Sequence, residues 1–85
     1  MMNTAHIQLS LQEGLSLLDV AAGKSGQLIL KVLDVQGRIA KTIIEKVEQG
    51  AQQLYININD LGKGNYVLNA FFGETFIKAV RFIKN

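Results

Sequence analysis

Leu54-Tyr55-Ile56-Asn57-Ile58-Asn59-Asp60-Leu61-Gly62-Lys63-Gly64-Asn65-Tyr66 decides the fold. Leu54, Ile56 and Ile58 alternate with Tyr55, Asn57 and Asn59. That is the period-two signature of a strand with one face in a core and the other in water. Asp60, Gly62 and Gly64 then punctuate the chain before a new apolar run opens at Tyr66. The spacing Leu61-x-x-Gly64-x-Tyr66 is that of a tyrosine corner. In that motif a Tyr at the start of a strand packs its ring inward, and its hydroxyl bonds a backbone group a few residues upstream. Gly64 is expected to supply a positive φ at no steric cost.

Working outward, the same alternation recurs. Ile7, Leu9 and Leu11 alternate with polar residues until Gly14, and 15–20 reads as a second strand. A helix over 9–20 is the main local alternative, because its leucines also fit a helical stripe. Residues 21–26 read as a loop. Leu28, Leu30 and Val32 share one face of a third strand, and Ile29 and Leu33 the other, which predicts a central strand buried on both sides. Gln36-Gly37 breaks it, and the branched residues of 38–47 favour a fourth strand. Glu48-Gln49-Gly50 is the next break. Gly73-Glu74 is a two-residue hairpin of the Gly-X type between 66–72 and 75–83. About seven short antiparallel strands at regular spacing predict an all-β chain, a sandwich or a barrel, in one domain over 1–85. With no proline in the sequence, edge strands are left to be guarded by charge. Glu45-Lys46 and Lys78 with Arg81 are the candidates.

The 85 residues make one small domain, and nothing covalent staples it, because cysteine is absent. A hydrophobic fraction of 48% argues against disorder. The net charge of +2 is spread along the chain, and no basic run reaches the length of a nucleic-acid patch. Phe71 and Phe72 point to opposite faces, so they form no stacking platform for bases. No apolar stretch approaches the roughly 18 residues of a membrane span. No signal peptide is visible, the first lysine being Lys24, so an exported protein would carry this chain as part of a longer precursor.

Catalytic and cofactor chemistry finds no foothold. Gly23-Lys24-Ser25 lacks the glycine of a phosphate loop, with Leu18 at that offset and strand-like sequence where a helix is needed. Asn57-x-Asn59-Asp60 has calcium-like ligand types but too few carboxylates, and reads as turn-forming amides. His6, the single histidine, lies on the polar face of a strand and matches neither a zinc site nor a catalytic triad. The acids form no carboxylate pair in an apolar pocket. No enzyme, metal or cofactor is expected.

Taken in order, three stretches resemble the type A C-terminal sorting domain of the type IX (Por) secretion system of Bacteroidetes. They are Val32-Leu33-Asp34-x-x-Gly37-Arg38 with Ile39-Ala40-Lys41-Thr42, Ile56-x-Ile58-x-Asp60-Leu61-x-Lys63-Gly64-x-Tyr66-Val67-Leu68, and the basic Phe82-Ile83-Lys84-Asn85. The likeness covers residues 28–85. The family usually opens with a Tyr-Pro-Asn-Pro segment, where this chain has Ser10-Leu11-Gln12-Glu13. The resemblance implies an immunoglobulin-like β-sandwich that serves as an address label. It implies protein partners, the secretion translocon and sortase components, and passage through the periplasm to the cell surface or beyond. Asp34, Gly37, Arg38, Asp60, Leu61, Gly64 and Tyr66 are the structural motif residues. Lys78, Arg81 and Lys84 are expected to offer charge to the partner, and Phe82 or Ile83, beside Asn85, an apolar anchor, with strand addition as one mode. The alternative is a structural or adhesive sandwich that self-associates as a homodimer.

Overall fold

The computed structural model describes residues 5–12 and 15–85, with side chains from Leu17 onward. The chain is all-β. Its elements are β1 (Ala5–Gln12), β2 (Leu15–Ala22), β3 (Gly26–Leu33), β4 (Ile39–Val47), β5 (Gly50–Tyr55), β6 (Gly64–Phe72) and β7 (Thr75–Lys84). They form two antiparallel sheets, ordered β1-β2-β5 and β4-β3-β6-β7. The helical alternative over 9–20 is not adopted, since its described residues lie in β1 and β2. The break expected at Gly14 lies outside the described residues. The loop expected over 21–26 is shorter, because Ala21 and Ala22 pair with Ala51 and Gly50 and Gly26 already opens β3.

Alternation places the core. Leu28, Leu30 and Val32 of β3 are fully buried, as are Leu68 and Ala70 of β6 and Leu18 of β2. With Val20, Val47, Ile56, Ile58, Leu61 and Phe82 they make one cluster fed by both sheets. Burying a leucine side chain of this kind is worth about 1.5–3 kcal/mol. The expectation that β3 is central holds, but not that both its faces are buried. Ile29, Lys31 and Leu33 are only half-buried, as an antiparallel sheet covered on one side allows.

Two local departures reshape the pattern. The alternation of 54–59 outlasts its strand: β5 ends at Tyr55, yet Ile56 and Ile58 are buried. Beyond the strand the Asn57 Oδ1 accepts the backbone N–H of Asn59 at 2.9 Å, a local turn bond in place of a ladder bond. In β7, Phe76 pairs with Phe71 and Lys78 with Ala70, so Ile77 is an extra residue in a bulge. Lys78 is thereby registered opposite core-facing Ala70, while Arg81 and Ile83, opposite Val67 and Asn65, fall on the other face.

Candidate recognition site

Asp34 organises the turn between β3 and β4. Its Oδ1 accepts the backbone N–H groups of Gln36 at 2.9 Å and Arg38 at 3.0 Å, and its Oδ2 accepts Arg38 Nε at 3.3 Å. The Gly37 N–H closes the turn on the Asp34 carbonyl at 3.0 Å, with Gly37 at φ 81°. That left-handed conformation is cheap only for glycine. The Arg38 backbone N–H, helped by that of Gln36 and by the guanidinium and opposed by partial desolvation, holds the Asp34 carboxyl below its ordinary value.

The segment after Ile58 is gripped at three successive residues. Leu61 N–H donates to the Ile58 carbonyl at 3.1 Å, closing a turn. Lys41 Nζ reaches both carboxylate oxygens of Asp60, at 2.8 and 3.0 Å. Lys84 Nζ donates to the Leu61 carbonyl at 3.2 Å. Tyr66 OH donates to the Gly62 carbonyl at 2.8 Å, as a tyrosine corner requires, and Gly64 has φ 150°. The Lys41 hydrogen bond and charge, with a smaller contribution from Lys84, keep the Asp60 carboxyl below its ordinary value against partial desolvation. The Tyr66 ring stacks on Phe82 with centroids 5.5 Å apart.

Above that stack lies an open groove of about 410 Å³, lined by Asp34 and Val35 of the first turn, 65–67 of β6 and 81–83 of β7. The three sequence stretches quoted above therefore meet at one end of the four-stranded sheet. Charge in the lining comes from Arg81 and from the Asp34 carboxylate, and apolar surface from Val35 and Ile83, which are 77% and 62% exposed.

The expected recognition residues separate into two groups. Arg81 and Ile83 are exposed on the outer face. Phe82, expected as an anchor, is 6% exposed and belongs to the core. Its position in β7 places it inward, next to Tyr66. Lys84 is half-buried and bonded to Leu61, and Lys78 is exposed but already engaged in an interaction. Asn85 is exposed beyond the end of β7. Lys41 was not foreseen. Its signal was present, since it shares a strand face with Ile43 and Val47, an inward-pointing charge on an edge strand.

Asn57 acts as a turn amide toward the Asn59 N–H. Among the described residues no cluster of His, Cys, Asp or Glu could hold a metal ion. Among the same described residues no helix is long and apolar enough to cross a membrane. Neither a family model nor a curated protein matches the chain.

Proposed function

We propose that this chain is a non-catalytic sorting domain of the type IX kind, an address label read by an outer-membrane secretion translocon. The observation that carries the reading is the groove. Asp34, Tyr66 and Ile83, from the three stretches that carry the resemblance, line a single surface although they are far apart in sequence. A label needs a rigid, specific surface, and this one is fixed by the Asp34 turn and the Tyr66–Phe82 stack.

The finer fold is an immunoglobulin-like sandwich. Strands β1-β2-β5 and β3-β6-β7 correspond in order to the two sheets of that fold, with β4 added beside β3. The corner tyrosine stands near the start of β6, the strand where that fold carries it. On this reading the partners are translocon and sortase components, and the domain passes through the periplasm on the way to the cell surface or the medium.

Export of a fluorescent reporter fused to residues 1–85 behind a signal peptide tests the proposal, in hosts with and without a working translocon. A second reading, a self-associating structural module, draws on the exposed Ile39 and Ile44 of edge strand β4. Sedimentation of the isolated chain tests that one.

A further inference from the structure

The outer face of the four-stranded sheet has a composition that the groove alone does not explain. By register its rows run Ile39, Thr42, Ile44 and Lys46 on β4, then Gln27, Ile29, Lys31 and Leu33 on β3. On β6 and β7 they continue through Asn65, Val67, Asn69 and Phe71, then Phe76, Ala79, Arg81 and Ile83. Ile39, Ile44, Phe76 and Ile83 are each more than half exposed. The charges on these rows are Lys31, Lys46 and Arg81, and none of the rows carries a carboxylate. Among the described residues none of these cations has a salt-bridge partner. Lys31 instead sits 5.3 Å over the Phe71 ring.

The geometry points to a docking face for a protein partner that presents acidic residues interleaved with apolar ones. Charge complementarity selects that occupant. A second copy in a two-fold contact would lay these rows on themselves, cation toward cation, and the Asp34 carboxylate at the groove is already held by Gln36 and Arg38. An anionic membrane is read by clusters of about four to eight basic residues, and here they stand singly among apolar side chains. The footprint, four strands by about seven residues, is on the order of 400 Å². That is about half of what each partner contributes to a standard stable interface, so the contact is transient. The groove at the sheet's end takes one apolar side chain of the partner, with Arg81 at its rim for a carboxylate. This inference stands apart from the sorting reading and can fail without it.

The test is fluorescence anisotropy on the full chain, using a labelled peptide in which glutamate alternates with leucine. A lysine–leucine peptide and phosphatidylglycerol vesicles serve as comparisons. Saturable binding of the acidic peptide is expected, weakened about tenfold by Arg81→Glu or Lys46→Glu. Both residues are exposed, so the urea midpoint should hold in either variant. Four results would overturn the proposal: no binding of the acidic peptide, equal binding of the basic one, binding to vesicles alone, or a dimer that the same substitutions abolish.

Discussion

The ammonium of Lys84, at the end of β7, donates to the carbonyl of Leu61, 23 residues earlier in the chain, at 3.2 Å. A basic residue near the end of the sequence reads naturally as a charge held out for a partner. Here it closes the loop between the two sheets, beside the Lys41–Asp60 pair and the Tyr66–Gly62 bond. Replacing it with methionine keeps much of the stem and removes the donor. Lys84→Met should lower stability by about 1 kcal/mol, the usual net worth of such a bond, and urea unfolding measures it.

Tyr66→Phe removes one hydroxyl and leaves the stack on Phe82 in place. The urea midpoint should fall by the equivalent of about 1 kcal/mol with the m-value unchanged. An unchanged midpoint would show that the hydroxyl bond contributes nothing.

Gly26 opens β3 under the Phe72 ring, and a Cβ there would lie 2.7 Å from Phe72 Cζ. Its requirement is spatial. Gly26→Ala should cost about 1–3 kcal/mol, as overpacking does. Phe72→Leu in the same chain should recover part of the loss, and a double-mutant cycle in thermal unfolding reads the coupling.

Asp34 and Asp60 both have folded carboxyl values below the ordinary range. A carboxylate lowered in this way stabilises the fold fully above its unfolded value, about 3.9, and that contribution is lost as pH falls through the folded value. Stability should therefore be flat from about pH 7 to 5 and decline below about pH 4. Asp34→Asn with Asp60→Asn should unfold at lower urea at neutral pH and decline less steeply in acid, seen by circular dichroism across the pH series.

Much of this was legible in the residues because alternation is a local signal. The strands, the Gly37 turn and the tyrosine corner each depend on neighbours in sequence. Facing was harder to read. Whether Lys78 shares a face with Phe76 depends on the bulge at Ile77, and no local pattern marks a bulge. Phe82 reads as an apolar anchor until Tyr66 is placed beside it. Lys41 reads as a surface charge until β4 is known to be an edge strand and Asp60 to lie across from it. The end of β5 at Tyr55 is concealed by the run of alternating residues, since Ile56 and Ile58 stay buried beyond it.

These placements also select the variants that address recognition. Deleting 82–85 would remove a core ring along with any signal. Arg81→Glu and Ile83→Ser change exposed positions at the groove and leave the stack intact.

The most direct measurement is export of the reporter fusion carrying residues 1–85, compared between a host with a working type IX translocon and one without it. The account predicts surface or medium fluorescence in the first host alone, reduced by Arg81→Glu with Ile83→Ser while the isolated domain keeps its urea midpoint. Periplasmic retention of the unaltered fusion in both hosts would contradict it.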